Sequence, residues 1–237
     1  MTFRRIFVLA GVLVFAAVTV GAQSTGSSRN RELSVEESYL QQSLELMIIR
    51  EQSRADSRDM KLVALEYINN AINRGDAGDE IRAALEYLGT EGTVNQIREN
   101  GRLTNNYPDV RVRAATYLGA LGTPEARTSL IKMCLADNEP MVLTEVVKSL
   151  GKINNNDNID ETINVISWVV ARYDVLNPDN LLALSALDTY EILARTGKGI
   201  TDPMAIQSIM RIAEGPYIRP VQDRAKQLLT DLRENRL

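Results

Sequence analysis

The chain has 237 residues, of which 44% are hydrophobic and 24% charged, and its net charge is −4. This mildly acidic, mixed composition lacks the basic patch expected for binding nucleic acid or an anionic membrane surface. The sequence contains no histidine and one cysteine, Cys134, which excludes Ser-His-Asp and Cys-His nucleophile sites, histidine metal ligands and an internal disulfide. We therefore expect no catalytic residues, no cofactor and no metal site.

Residues 1–22 have the pattern of a cleavable secretory signal peptide. Arg4 and Arg5 precede an apolar run over residues 6–20, and small residues end the run at Ala22. We predict cleavage after Ala22, a periplasmic or secreted location, and no transmembrane segment in the mature chain. An uncleaved membrane anchor is the alternative, although the run is short for one. Residues 23–33 are polar and are predicted to form a flexible leader.

Residues 34–56 are predicted to form one amphipathic helix. Ser34 with Glu37 three positions later is the signature of a capping box at a helix start. Leu40, Leu44 and Met47 then recur at helical spacing. We interpret this helix as an N-terminal cap for the repeats that follow, since terminal repeats need an atypical outer unit. The alternative is a helix offered to a partner.

A turn-helix pattern recurs through residues 57–237. An acidic or Asn-Pro turn leads into aliphatic and small residues and then Leu-Gly, which lies ten and eleven residues beyond both Pro108 and Pro140. A third copy ends at Gly89, and weaker copies begin near residues 177 and 215. A repeat of roughly 30–40 residues is typical of stacked supersecondary units, each too small to bury its apolar face alone.

These repeats predict helix pairs. Proline near the predicted helix starts and glycine at their ends define the bounds. No stretch alternates like a strand, so the predicted fold class is all-α: a right-handed α-solenoid of about five helix pairs behind the N-terminal cap helix. The predicted pairs are 57–73 with 79–89, 93–101 with 108–121, 124–136 with 140–153, 159–174 with 178–195, and 201–214 with 216–234.

For several residues or segments, the sequence is compatible either with a structural role or with a functional site. Cys134 and Trp168 lie in apolar helical series and are predicted to be core residues; the alternatives are a nucleophile for Cys134 and a surface anchor for Trp168. The predicted helix 178–195 is apolar nearly all round, which indicates burial against both neighbouring repeats; alternatively its stripe Leu182, Ala186, Tyr190, Leu193 faces a partner. The Asn-rich run 154–160 lacks the glycine and glutamate of a calcium loop, and residues 195–201 lack the first glycine of a phosphate loop. Both are predicted to be plain loops.

The segment from about residue 57 to 234 resembles the HEAT-repeat family, especially its short bacterial form. In that family an Asp or Asn stands five residues before an aliphatic-Arg pair, and these side chains form a hydrogen-bond ladder between adjacent repeats. Leu143 stands where the third repeat would carry its arginine, and Ala213 where the fifth would carry its acid. The resemblance implies ladder roles for Asp76, Arg82, Asn105, Arg111, Asp137 and Asn177.

The expected function is that of an exported, non-catalytic scaffold or adaptor that binds a protein partner on the concave face of the solenoid. One alternative is a structural component of a large bacterial envelope assembly, such as a motor or secretion collar. Another, implied by the resemblance, is a bilin-lyase-type enzyme or chaperone, against which the absence of histidine argues. The residues predicted to face the partner are Arg113, Thr116, Thr144, Lys148, Leu182, Ala186 and Arg224.

Overall fold

A computed structural model of the chain describes residues 34–76, 78–153, 159–173, 177–196, 200 and 202–234. The predicted signal peptide and leader, residues 154–158 of the Asn-rich run and residues 197–199 and 201 of the second loop lie outside the described residues. The elements in chain order are α1 Val35–Arg54, α2 Arg58–Asn73, α3 Asp79–Gly89, β1 Arg98–Glu99, β2 Arg102–Leu103, α4 Pro108–Leu121, α5 Pro124–Ala136, α6 Pro140–Lys152, α7 Ile159–Tyr173, α8 Asn180–Thr196, α9 Pro203–Glu214 and α10 Arg219–Arg233.

The helices in the described part of the chain form five consecutive pairs, from α1 with α2 to α9 with α10. Each helix packs against its successor and also against the helix two positions further along the chain. The first helices of the pairs (α1, α3, α5, α7, α9) therefore make one row, and the second helices (α2, α4, α6, α8, α10) make another. The predicted all-α solenoid of about five helix pairs is confirmed, while its right-handed sense stays a prediction.

The pairing differs from the prediction at the N-terminal end. Residues 93–101, predicted as a helix, instead form turns and the start of a small antiparallel hairpin, with Arg98 opposite Leu103. Gly92 and Gly101 have φ angles of 72° and 81°, and Asn100 has a φ of 50°. Three left-handed positions within ten residues cannot propagate a right-handed helix. The two short strands of the hairpin also contradict the expectation that no stretch of the chain is a strand.

Because the segment before this hairpin is not a helix, every helix that precedes it has a different partner from the one predicted. Helix α3, predicted as the second helix of a pair with α2, is a first-row helix paired with α4. Helix α1 packs on α2 and α3 as the first helix of pair one, rather than as a separate cap. Its predicted capping box is confirmed, because the Glu37 N–H donates to Ser34 Oγ at 3.2 Å and the Ser34 N–H donates to Glu37 Oε2 at 3.0 Å.

The core runs continuously between the two rows. Cys134 and Leu118 are fully buried, as the apolar spacing predicts for Cys134. Leu182, Ala186, Tyr190 and Leu193 are buried too, because α6, α7, α9 and α10 all contact α8. Burial of this stripe was the favoured prediction, and the alternative of a partner-facing stripe there was wrong.

The prediction that Trp168 is a core residue was also wrong. Its side chain is 41% exposed on α7, with the Arg172 guanidinium 5.2 Å from the ring centroid. The apolar series around Trp168 continues through neighbours that are buried, such as Ile166 and Val169. Trp168 itself lies on the outer side of the first row, where the Arg172 guanidinium lies over the ring.

The glycine of the Leu-Gly motif explains how closely the second-row helices approach. A Cβ placed on Gly119 would lie 2.7 Å from the Ser149 Cβ and 3.0 Å from its Cα, so α4 and α6 meet backbone to backbone there. Gly151 occupies the corresponding place in α6, where a Cβ would lie 3.1 Å from Thr189 of α8. The repeated glycine is therefore a packing position between consecutive pairs.

Candidate functional site

Helices α4, α6 and α8 each leave one stripe of side chains uncovered, and the rest of each helix is packed against neighbouring helices. The stripes recur every three or four residues, as expected for one face of a helix. Thr116 Oγ1 donates to Glu145 Oε1 at 2.9 Å and so joins the stripes of α4 and α6. We call the three stripes together the second-row surface; it comprises Asp109, Arg113 and Thr116 of α4, Met141, Glu145, Lys148 and Lys152 of α6, and Leu181, Asp188 and Ile192 of α8.

The acidic side chains of this surface are all engaged by neighbours. Asp109 accepts two hydrogen bonds from Arg58 of α2, at 2.7 and 3.2 Å. Glu145 accepts from Thr116 and lies 3.7 Å from the Lys152 ammonium. Asp188 Oδ1 lies 3.6 Å from the guanidinium of Arg224 on α10.

Two basic side chains of the same surface remain free of such pairing. Arg113 and Lys148 are both exposed, and within the described residues neither forms an ion pair. Because the surrounding carboxylates are already paired, these two cations present uncompensated positive charge on adjacent helices of an otherwise acidic protein.

Large apolar side chains accompany these cations. Met141 is 56% exposed, Leu181 68% and Ile192 42%. Methionine and aliphatic side chains adapt to irregular surfaces, and exposed groups of them mark interaction sites. The second-row surface is therefore mixed, with cations near its α4–α6 part and apolar side chains near its α6–α8 part.

Four of the seven residues predicted to face a partner are accessible. Arg113 and Lys148 are exposed, and Thr116 is half-buried on the same surface. Arg224 is half-buried on α10, where its guanidinium contacts Glu191 and Asp188.

The other three predicted residues, Thr144, Leu182 and Ala186, are buried, and a partner cannot reach them. Thr144 turns toward its own helix, where its hydroxyl donates to the Pro140 carbonyl at 2.7 Å. Leu182 and Ala186 belong to the packed sides of α8. Met141, Leu181 and Ile192 were not predicted to face a partner. The polar residue Asp188 between Leu181 and Ile192 was the signal that one stripe of α8 is outside the core.

One rung of the predicted ladder is present between consecutive repeats. Arg111 Nε donates to Asp137 Oδ2 at 2.6 Å and Nη2 donates to Oδ1 at 3.3 Å. Both side chains are about 1–2% exposed. Asp137 also accepts from the N–H groups of Asn138 and Glu139 at 2.8 and 2.9 Å, so it holds the turn between α5 and α6 while it pairs with α4.

The remaining ladder residues have other partners. Arg82 lies near Asp79 and Glu86 of its own helix, because α3 is a first-row helix and Arg82 is not equivalent to Arg111. Asp76 accepts from Gln42 of α1 at 2.8 Å. Asn177 is exposed, and its backbone N–H donates to the Tyr173 carbonyl. The continuous ladder implied by the resemblance is therefore interrupted at both ends.

Asn105 belongs to a buried polar cluster that extends the Arg111–Asp137 rung into pair one. Its amide donates to Glu91 Oε1 at 2.7 Å, and the Glu91 carboxylate lies 3.2 Å from the Lys61 ammonium. Arg111 also donates to the Glu91 carbonyl at 3.0 Å. The positive and negative side chains of this cluster pair with one another in the interior, so the cluster has a structural role in joining consecutive helix pairs.

The described residues offer little reactive chemistry. They include no group of three or more His, Cys, Asp or Glu side chains placed to hold a metal ion. Burial raises the pKa of the Cys134 thiol to about 12, which leaves it protonated and unreactive near neutral pH.

A cleft of about 570 Å³ opens on the first row between α3 and α5, lined by Tyr87, Val94 and Leu135 among others. At its edge, a hydrogen bond from Lys132 holds the pKa of Glu86 below its ordinary value. Because Glu86 is already paired with Lys132 at 2.6 Å, neither side chain is free to bind a charged ligand.

No helix in the described part of the chain is long and apolar enough to cross a bilayer. Comparison with curated proteins found no match, and comparison with solved structures found none either. Residues 101–163 match the protein-family model described as HEAT repeats. The matched segment contains α4, α5 and α6, the Arg111–Asp137 rung and both second-row Leu-Gly motifs. This central segment of the chain therefore consists of HEAT repeats, as the resemblance predicted.

Proposed function

We propose that this protein is a non-catalytic scaffold that binds a protein partner across the second-row surface. The observation that carries the proposal is the pair of unpaired cations, Arg113 and Lys148, beside exposed Met141 and Leu181. The HEAT-repeat match supports the class of function, because repeats of this kind commonly mediate protein–protein contacts. The absence of histidine and the buried state of Cys134 support a non-catalytic role.

The chemistry of the surface indicates the partner. Carboxylates of the second-row surface are already paired, so an incoming acidic side chain meets free positive charge at Arg113 and Lys148 and no free negative charge beside them. The apolar residues of α6 and α8 suit an amphipathic helix or peptide with one apolar face. We therefore propose an apolar segment with acidic flanks as the bound element.

A charge reversal tests this assignment. Lys148→Glu should slow association with the partner recovered from the native host, and should reduce the salt dependence of the association rate, because exposed charges act mainly on encounter. Stability should change little, since Lys148 is exposed. Surface plasmon resonance at two salt concentrations would measure both effects.

The matched control is Lys132→Glu on the first row, which makes the same charge reversal at an exposed lysine and replaces its ion pair with Glu86 by two neighbouring carboxylates. If Lys132→Glu abolishes binding while Lys148→Glu leaves it unchanged, the partner uses the first row and the assignment of the surface is wrong.

We also propose that the protein is exported to the periplasm or secreted. The basic-apolar-small pattern of residues 1–22 supports this location. Mass spectrometry of the protein isolated from its native host should find a terminus at Gln23. A terminus at Met1 or Thr2 on protein from the cell envelope would indicate an uncleaved anchor instead.

A further inference from the structure

A cavity opens on the first row between the second half of α1 and helix α3, and we call it the α1–α3 cavity. Its volume is about 340 Å³. The apolar part of its lining includes Leu46 and Ile49 of α1 and Ala84 of α3. Ile49 and Ala84 are buried, so this apolar floor belongs to the core. Small-molecule sites commonly have volumes of about 300–1,000 Å³, and the α1–α3 cavity therefore suits a small ligand.

Arg54 supplies an unpaired positive charge to this cavity. It lies in the last turn of α1 and lines the cavity, and within the described residues it forms no ion pair. Its acidic neighbours in sequence, Glu51 and Asp56, are outside the lining, and neither pairs with it. The other cation of the lining, Arg50, lies 3.1 Å from the carboxylate of Glu80. Since Glu80 is the one acidic residue of the lining, the cavity has a net positive charge.

Tyr87 of α3 adds a hydrogen-bonding group to the same cavity. Its side chain is half-buried in the lining, and among the described residues its hydroxyl has no hydrogen-bond partner. The buried Lys61 ammonium lies 5.5 Å from the ring centroid and attracts the ring, which favours its present position. Burial raises the pKa of Tyr87, although the nearby charge of Arg54 opposes that rise. The hydroxyl is therefore protonated near neutral pH and can donate to an anion.

From these observations we propose that the α1–α3 cavity binds a small carboxylic acid with a short apolar body. The carboxylate pairs with the Arg54 guanidinium and accepts from the Tyr87 hydroxyl, and the apolar body lies on the floor at Ile49. A guanidinium binds a carboxylate through two parallel hydrogen bonds, whereas a cationic ligand would be repelled by Arg54. The cavity is on the first row and separate from the second-row surface, so this proposal does not depend on the scaffold function.

Titration with octanoate tests the proposal. The amide chemical shifts of the chain as its host processes it should change in the second half of α1 and in α3, and the changes should saturate. Octanamide has the same length without the charge, and it should bind about tenfold more weakly, because hydrogen bonds to a charged group are stronger. Octanoate that causes no saturable shifts, or causes them only in other helices, overturns the proposal. Equal affinities for octanoate and octanamide would overturn the preference for an anion.

Substitution of the arginine tests where the carboxylate binds. Arg54→Gln should weaken octanoate about tenfold and leave the affinity for octanamide unchanged. Arg54 is exposed, so circular dichroism should show the variant folded. The matched control is Arg113→Gln, which removes another exposed arginine without an ion pair, on α4, and should not change the affinity. If Arg113→Gln weakens octanoate as much as Arg54→Gln does, or if neither variant weakens it, the acid does not bind in the α1–α3 cavity.

Tyr87→Phe tests the contribution of the hydroxyl. It keeps the ring beside Lys61 and removes only the oxygen, so the fold should be preserved. The variant should bind octanoate more weakly than the wild type, but less weakly than Arg54→Gln, because a neutral donor contributes less than a charged one. Unchanged affinity for octanoate in Tyr87→Phe would show that the hydroxyl does not contact the carboxylate and would overturn this placement of the ligand.

Discussion

Arg111 shows how much a single side chain connects in this protein. It joins α4 to the turn before α6 through Asp137 and to the turn after α3 through the Glu91 carbonyl. Lys61 and Asn105 continue the same buried cluster into pair one. Charges buried in pairs are costly to separate, because the partner left behind has lost both its ion pair and its hydration. The first three pairs are therefore held by polar contacts as well as by apolar packing.

Arg111→Ala should lower the free energy of unfolding by about 3–5 kcal/mol, because it leaves Asp137 buried without its cation. The matched control is Arg58→Ala, which also breaks a two-point Arg–Asp contact, but with an exposed arginine and aspartate. Exposed pairs contribute far less to stability than buried ones, because water screens their charges. Urea denaturation of both variants measures the difference, and equal losses would show that burial of the rung does not matter.

Among the helices, α4 shows most clearly that a second-row helix contributes both to the core and to the second-row surface. One side of the helix carries Val110, Ala114 and Leu118 into the core, and Gly119 lets it touch α6. The opposite stripe carries Arg113 and Thr116 on the second-row surface. A helix that is packed on three sides and open on one can change its open stripe at little cost to stability. This separation allows a repeat protein to vary its binding surface on a constant core.

The two sides of α4 can be compared directly by mutation. Leu118→Ala should cost about 2–5 kcal/mol, because it removes a fully buried side chain and leaves a cavity. Arg113→Ala should cost less than about 0.5 kcal/mol, since surface changes away from special contacts are small. Equal midpoints in urea for the two variants would contradict the assignment of these faces.

For the whole molecule, stability depends on contacts between neighbouring pairs, as in other solenoids. Helices α4 and α6 each have a neighbouring helix pair on both sides. They contact each other at Gly119, and the Arg111–Asp137 rung links α4 to the turn before α6. Helix α1 has a neighbour on one side only, and α10 likewise is the last helix in the described part of the chain. Local opening should therefore be easiest at the ends and hardest in the middle.

Native-state hydrogen exchange should resolve this gradient. Amides of α4 and α6 should exchange most slowly, and those of Val35–Leu44 most rapidly. Mass spectrometry of peptides from each helix would measure the rates. Fast exchange in α6 together with slow exchange in the first half of α1 would contradict the gradient.

Much of the local structure was predictable from the amino-acid sequence. Helix starts at proline, the capping box of Ser34 and Glu37, and the burial of Cys134 all depend on spacings of a few residues, which the sequence displays directly. The Leu-Gly repeat likewise revealed stacked helix pairs, because a period of that length has few structural explanations. Of the candidate surface, Arg113 and Lys148 were identified for the same reason: a charged residue on the polar side of a helix stays in water.

Only the tertiary structure decided how these helices combine. The hairpin at residues 98–103 moved α3 into the first row and made α1 a member of pair one, because left-handed positions at Gly92, Asn100 and Gly101 interrupt a helix that composition alone permits. Which side of an apolar helix such as α8 is uncovered depends on neighbours distant in sequence. Leu182 was therefore predicted exposed and is buried, whereas Leu181, one residue earlier, is open to solvent.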